Sequence, residues 1–234
     1  ISACLVGSEM CIRDSYWTIR FAVLTGGPIK RVEDLKGKVV ATNAAGSAVD
    51  IAMKAMLHRH GLELNRDYTE VEAPFPAMKS MLAEHKVDLI PAVLPFALDP
   101  QMQQIATTLF TAKEAIGKSE FVSFQARKPF IDAHRAALVD WLEDTLRILH
   151  WYTDPKNHDE AAQIAARFVK APPERMGWVF TKTDTYRDPN MLPDLTALQR
   201  NVDMTQELGY AQASFDVKAY SDLSMVKEAA ERLK

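Results

Sequence analysis

Hydrophobic positions in the first half of the chain follow two periodicities in turn. Four short apolar runs have the length and composition of buried strands: 21–24, Lys38–Thr42, 68–73 and 87–94. The segments 47–60 and 76–85 lie between them and carry apolar residues at helical spacing. This alternation predicts parallel, right-handed βαβ units. Pro91 interrupts the fourth run, which predicts a strand that is bent or lies at the edge of the sheet.

The second half of the chain has a helical pattern after one more predicted strand, at 120–125. Apolar residues recur at helical spacing in five segments: 129–152, 160–169, 174–180, 195–208 and 224–233. We expect Trp141, which lies on the stripe of the longest helix, and Trp151 to be in the core. The patterns together predict an α/β region over 16–125 and a helical region over 126–234.

The composition is that of a globular protein, with 47% hydrophobic and 25% charged residues. The net charge of −3 argues against a general nucleic-acid binder, which usually presents a basic face. No apolar run approaches the roughly 20 residues of a membrane-spanning helix.

Residues 1–15 resemble a translated sequencing adapter, and we interpret them as not native and set them aside from the fold. Both cysteines, Cys4 and Cys11, lie in this segment. Residues 16–234 therefore contain no disulfide, no cysteine metal ligand and no thiolate nucleophile.

The loop that follows the second strand is the first candidate for a binding site. It reads Asn43-Ala-Ala-Gly-Ser47 and leads into a helix, so free N–H groups and the positive end of the helix dipole converge there. This arrangement predicts that Asn43, Ala45, Gly46 and Ser47 bind an anion. An ordinary βα turn, whose small residues let helix and strand pack closely, is the alternative.

Two aromatic residues just beyond predicted strand ends are the second candidate. Phe75 stands between two prolines, and Phe96 follows Pro95, so both loops are stiff. Ligands of open α/β sheets bind beyond the carboxyl ends of strands, which favours a role for Phe75, Pro95 and Phe96 in ligand binding. Packing of both rings into the core is the alternative. The histidine spacing does not suggest a metal site, and we expect no cofactor and no catalytic residues.

Several segments in this order resemble the periplasmic substrate-binding proteins of ABC importers, of the nitrate/sulfonate/taurine type. They are residues 28–38, 43–47, 86–89, 121–129, 207–210, 215–217 and 222–226. The resemblance implies an α/β fold like that of type II periplasmic binding proteins. It further implies that residues 16–125 form the second lobe with hinge strands. Residues 126–234 would complete this lobe and form the helical C-terminal part of a first lobe that is truncated before residue 16.

The function implied by the resemblance is capture of a small organic anion, such as a sulfonate, a carboxylate or nitrate, between two lobes. The implied partner is an ABC permease in the inner membrane, and the location is periplasmic or lipid-anchored, although no signal peptide is visible. The resemblance implies a monomer that is not an enzyme and binds no nucleic acid.

Two alternatives stay open. One is an enzyme like the thiamine-pyrimidine synthases on the same fold, against which the absence of cysteine after residue 15 counts. The other is the effector-sensing domain of a transcription regulator, which would need a helix-turn-helix before residue 16.

Overall fold

The computed structural model of the protein describes residues 3–7, 19–94, 96–117, 119, 123–170, 172–181 and 188–234. They form two compact units. The sheet unit comprises the described residues of Tyr16–Lys118 and Val202–Ser214, and the helical unit comprises the others. The segment Val202–Ser214, which the sequence analysis assigned to the helical region, groups with the sheet unit.

The secondary structure alternates between strands and helices until residue 127 and is helical afterwards. The strands are β1 (Ala3–Gly7), β2 (Arg20–Leu24), β3 (Lys38–Thr42), β4 (Tyr68–Glu72), β5 (Ile90–Ala92), β6 (Ala106–Thr111) and β7 (Phe124–Arg127). The helices are α1 (Ala48–Arg59), α2 (Phe75–Ala83), α3 (Pro100–Ile105), α4 (Ala112–Ile116), α5 (Lys128–Thr153), α6 (His158–Val169), α7 (Leu195–Glu207) and α8 (Ser224–Arg232).

The sheet unit contains the predicted βαβ units. Strands β3 and β4 pair in parallel, from Lys38 opposite Tyr68 to Thr42 opposite Glu72. A parallel bridge between Val40 and Leu89 adds the chain that leads into β5 on the other side of β3. The parallel βαβ arrangement predicted for the runs Lys38–Thr42, 68–73 and 87–94 is therefore confirmed.

Strands β2 and β6 make the sheet mixed rather than parallel. Strand β2 runs antiparallel to both β5 and β6, and lies between them. Strand β5 is the outer strand of the three-stranded sheet β5–β2–β6, where Pro91 pairs with Phe21 of β2, so the predicted edge position of Pro91 is confirmed for that sheet. The bridge to β3 is at Leu89, before Pro91, so the missing N–H of the proline removes no bond there.

Apolar side chains cover the sheet on the side of α2. The buried residues of this cluster are Ala22, Ala41, Ala73, Met78, Leu82, Val87, Ile90, Ala92 and Met102. Helix α1 buries Met53 and Leu57, and its Arg59 donates hydrogen bonds to the carbonyl oxygens of Glu114 and Ala115 in α4. These contacts hold α1 against the rest of the sheet unit.

The helical unit is built on the contact of α5 with α8. Its buried residues are Ile131, Val139, Leu142, Leu146, Leu149, Met191, Met225, Val226 and Ala229. Ion pairs border this core: Arg135 lies 2.6 Å from Glu228, and Arg232 lies 2.8 Å from Asp140. Helix α5 has the predicted length, with a non-helical backbone at His134.

Three features of the helical unit differ from the sequence analysis. The predicted helix 174–180 is only a short 3-10 turn at Pro173–Arg175. Trp141 and Trp151, expected in the core, are 41% and 36% exposed, because the buried stripe of α5 runs through Leu142, Leu146 and Leu149 instead. Strand β1, in the segment set aside as not native, pairs antiparallel with β7. None of the described helices is long and apolar enough to cross a membrane.

Candidate functional site

The candidate site lies at one edge of the sheet unit, where three strands end. Strands β3 and β4 are parallel, and the chain entering β5 bridges to β3 in the same direction. The loop 43–47, the turn at Pro74 and the segment around Phe96 therefore follow the carboxyl ends of neighbouring strands. Ligands of α/β sheets bind at this edge, so the topology brings the two predicted groups of site residues to one side.

The loop 43–47 has the geometry of a helix N-terminus. Ser47 is the N-cap of α1, since its Oγ accepts a hydrogen bond of 3.2 Å from the N–H of Asp50. The Ser47 hydroxyl donates to Oδ1 of Asn43 over 3.0 Å. Gly46 has a φ of +74°. Residues with a side chain are strained in this conformation, which explains the glycine at this position. The predicted helix start is confirmed.

The backbone N–H groups of this loop are already bonded to the protein. The N–H of Gly46 donates to Asp50 Oδ2 over 2.7 Å, and that of Ser47 donates to the carbonyl oxygen of Ala44 over 3.2 Å. The N–H of Ala45 donates to Glu72 Oε1 over 2.7 Å. The expectation that the N–H groups of Gly46 and Ser47 stand open for a ligand therefore does not hold in this structure. The positive end of the α1 dipole favours negative charge, and the carboxylates of Asp50 and Glu72 supply it.

A buried ion cluster lies directly behind this loop. Lys54 is 6% exposed and Asp50 is fully buried, and Lys54 Nζ lies 2.8 Å from Asp50 Oδ2. Nζ also lies 3.0 Å from both carboxylate oxygens of Glu70, with hydrogen-bond geometry to Oε1. Its third contact is the hydroxyl oxygen of Tyr210, at 2.5 Å. The three N–H groups of the ammonium thus have three partners.

The burial of this cluster shifts the pKa values of its members. Burial, followed by the hydrogen bond with Asp50, raises the pKa of Glu70 to about 7, although Lys54 opposes the shift. Burial alone would lower the pKa of Lys54, but hydrogen bonds with Asp50, Tyr210 and Glu70 outweigh it and raise the pKa. Burial also raises the pKa of Tyr210 and that of the neighbouring Tyr68. Glu70 therefore changes its charge near neutral pH.

The two aromatic residues predicted for the site are in contact. The rings of Phe75 and Phe96 stack with centroids 6.3 Å apart and an angle of 28° between their planes. Phe75 is the first residue of α2 and packs against the core below the sheet, whereas Phe96 is 37% exposed. Pro95, the third member of this prediction, lies outside the described residues.

The residues of the ion cluster were not among the predicted site residues. The spacing of Asp50 and Lys54, four positions apart on α1, is a weak signal because such pairs usually lie on a solvated face. Tyr210 is 160 positions from Asp50 and has no local signal at all. As for metals, no group of three or more His, Cys, Asp or Glu residues that could hold an ion occurs in the part of the chain that the structure describes.

Comparison with known proteins identifies the family. A family model described as the NMT1-like family matches residues 5–166, more than half of the chain. The chain belongs to the NMT1-like family. A search of curated proteins found no match.

Solved structures resemble this NMT1-like chain at low sequence identity. The alkanesulfonate-binding protein SsuA from Xanthomonas axonopodis pv. citri, bound to MOPS, matches with a TM-score of 0.70 and 16% identity, covering 95% of this chain and 74% of its own. The periplasmic nitrate-binding protein NrtA from Synechocystis PCC 6803 matches with a TM-score of 0.71 and 17% identity, covering 97% and 68%. The desulfurization enzyme DSZB matches with a TM-score of 0.70 and 13% identity, covering 100% and 80%.

These likenesses confirm the predicted α/β fold of periplasmic binding proteins for this NMT1-like chain. At such identities they establish the fold and not the activity. Because binding proteins and an enzyme share the fold, the function has to be argued from the site.

Proposed function

We propose that this protein is the solute-binding component of an ABC importer and captures a small organic anion such as a sulfonate, a carboxylate or nitrate. The observation that carries the proposal is the gathering of the loop 43–47 and the Phe75–Phe96 pair at the carboxyl edge of one sheet. A helix N-terminus and an aromatic pair at such an edge suit a ligand with a charged head and an apolar body.

The family and the similar structures support this proposal. SsuA is an alkanesulfonate-binding protein and NrtA a nitrate-binding protein, so both bind small anions on this fold. We propose a periplasmic or lipid-anchored location, an ABC permease as the partner, and a monomeric protein without a cofactor. Asp50 and Lys54 of the ion cluster are buried, and the ammonium of Lys54 has all its partners within the protein, which favours a structural role for the cluster over catalysis.

The anionic head of the ligand takes the place of Glu72 in this proposal. Glu72 is exposed and its carboxylate binds the N–H of Ala45, so it can swing into water and release this donor. Asp50 cannot, because it is fully buried. Asn43 and Ser47 offer further polar groups beside Gly46, and the stacked rings of Phe75 and Phe96 contact the apolar part of the ligand.

Replacement of Glu72 tests this exchange. We expect Glu72→Gln to bind an anionic ligand about tenfold more tightly, because it removes both a competing carboxylate and a repelling charge. Isothermal titration calorimetry with taurine, alkyl and aryl sulfonates, aromatic carboxylates and nitrate measures the effect.

Glu84→Gln is the matched control. It removes the same charge from the C-terminal end of α2, and its affinities should equal those of the wild type. Tight binding of a cation or a neutral sugar in place of the anions would contradict the proposed function.

Gly46→Pro is expected to weaken binding of the same anion by about tenfold or more. Proline cannot adopt the φ of +74° found at Gly46, and it removes the N–H that Asp50 accepts. The loop would change its shape at the proposed site. The measurement is again calorimetry, with folding checked by circular dichroism.

Gly37→Pro provides the comparison for this prediction. Gly37 also has a positive φ, +75°, and its N–H is also bonded, to the carbonyl oxygen of Asp67. It lies just before β3, at the opposite edge of the sheet. Equal losses of affinity in both variants would mean that the loop 43–47 has no special part in binding.

A further inference from the structure

We propose that Asp50, Lys54 and Tyr210 are positioning residues that hold the loop 43–47 in its binding conformation. The effect on ligand affinity rests on the proposed function, but the effect on the loop does not. The role is indirect, because the loop would contact the ligand while the three side chains act from behind it.

One oxygen atom connects the loop to the cluster. Asp50 Oδ2 accepts the N–H of Gly46 at 2.7 Å, Lys54 Nζ at 2.8 Å and the Tyr210 hydroxyl at 3.2 Å. Asp50 is fully buried, so loss of a donor leaves a buried carboxylate oxygen with fewer hydrogen bonds. Any displacement of Tyr210 or Lys54 therefore changes the environment of the bond that holds Gly46.

Tyr210 contacts the loop in two ways. Its hydroxyl donates to Asp50 and accepts from Lys54, while its ring lies over Gly46. A Cβ atom placed on Gly46 would be 3.9 Å from Cδ1 of this ring, which is ordinary van der Waals contact. Tyr210 belongs to the segment Val202–Ser214, so it connects the loop to a part of the chain that is distant in sequence.

A proton on Glu70 completes the hydrogen bonding of the cluster. Among the described residues, Asp50 Oδ1 and Glu70 Oε2 are buried and accept no hydrogen bond. Protonated Glu70 supplies the donor that the two carboxylates lack, in agreement with its raised pKa. Lys54, Tyr68 and Tyr210 are the other titratable groups that surround Glu70 and Asp50.

Loss of this proton should loosen the loop. Above neutral pH both carboxylates are charged and share the single ammonium of Lys54, so Asp50 holds its other donors less firmly. The protection of the Gly46 amide should therefore fall as the pH rises through the range in which Glu70 titrates.

Tyr210→Phe tests the positioning role, since it keeps the ring over Gly46 and removes only the hydroxyl. We expect amide exchange at Gly46, measured by NMR on the full chain and divided by the intrinsic rate, to become about tenfold faster. Benzenesulfonate should bind about threefold to tenfold more weakly by calorimetry. Tyr220→Phe, which alters an exposed tyrosine in the helical unit, should change neither value.

Glu70→Gln tests the proton, because its amide can donate to Asp50 at every pH. In the wild type we expect Gly46 protection to fall several-fold between about pH 6 and about pH 8, and in Glu70→Gln to stay constant. Since ionisation of Glu70 also lowers the global stability, the decline at Gly46 is compared with that at the buried core residue Leu82 in α2, and only a larger decline at Gly46 supports the local effect.

The outcomes separate this inference from the proposed function. If Tyr210→Phe leaves Gly46 protection unchanged, or if benzenesulfonate affinity stays constant while protection falls, the positioning role is wrong. If benzenesulfonate fails to bind the wild type and yet Tyr210→Phe exposes the Gly46 amide, the loop is held as inferred and it is the proposed ligand class that fails.

Discussion

Lys54→Met is expected to lower the free energy of unfolding by about 3–5 kcal/mol, because removal of one partner of a buried ion pair leaves an uncompensated charge. Asp50 and Glu70 both lie within 3.0 Å of Lys54 Nζ, so the variant leaves two carboxylates without this cation. Urea denaturation followed by circular dichroism gives the value.

The loss in Lys54→Met should depend on pH in a defined direction. The pKa of Glu70 in the folded protein, about 7, is above its ordinary value, so the folded state binds this proton more tightly than the unfolded state does. Ionisation of Glu70 therefore costs stability progressively as the pH rises from about 4.5 to about 7. Without Lys54, no cation offsets the repulsion between the charged carboxylates of Asp50 and Glu70. The loss of unfolding free energy in the variant should therefore be largest above about pH 7.

Lys128→Met is the matched control for this experiment. Lys128 pairs with Asp132 at 2.7 Å and with the same spacing of four positions, but the two side chains are 60% and 59% exposed. Exposed pairs of this type contribute little, so the change should stay within about 0.5 kcal/mol. Equal effects in both lysine variants would show that burial of the cluster has no energetic consequence.

Leu142→Ala should have the second large effect, a loss of about 2–5 kcal/mol in the free energy of unfolding. Leu142 is fully buried at the contact of α5 with α8, and the truncation leaves a cavity there. Guanidinium denaturation monitored by tryptophan fluorescence reports on this unit, since Trp141 and Trp151 lie on the same helix.

Ile148→Ala on the same helix shows whether the orientation of α5 is right. Ile148 is 59% exposed, so its truncation should change the free energy of unfolding by no more than about 0.5 kcal/mol. If Ile148→Ala cost as much as Leu142→Ala, the buried stripe of α5 would have to be reassigned.

Local signals in the sequence were sufficient for most of the elements. Gly46 and Ser47 mark the turn and cap of α1, and the apolar run before them has the exact bounds of β3, because capping and strand propensity act over a few residues. The order of strand and helix then gave the parallel pairing of β3 with β4. Strand β6 was missed, since its pattern of mostly exposed threonines lacks an apolar run.

The same local signals were misleading where contacts between distant parts of the chain determine the hydrogen bonding or the burial of a residue. The prediction of open N–H groups at Gly46 and Ser47 was reasonable for an isolated helix N-terminus, but it ignored carboxylates that the fold brings in. Glu72 reaches Ala45 only because β4 lies beside β3. Likewise, the periodicity of α5 could not tell which neighbouring stripe faces α8, and the two tryptophans were placed on the wrong side.

The sequence by itself determined the α/β class, the loop 43–47 at the start of α1 and the aromatic residues at the strand ends, because each depends on neighbours in the chain. Only the tertiary structure decided that Asp50 and Lys54 are buried, that Glu70 joins them and that Tyr210 closes the cluster over Gly46. Charges enter a protein interior only when their partners meet in space, and Tyr210 meets Asp50 across 160 positions of chain.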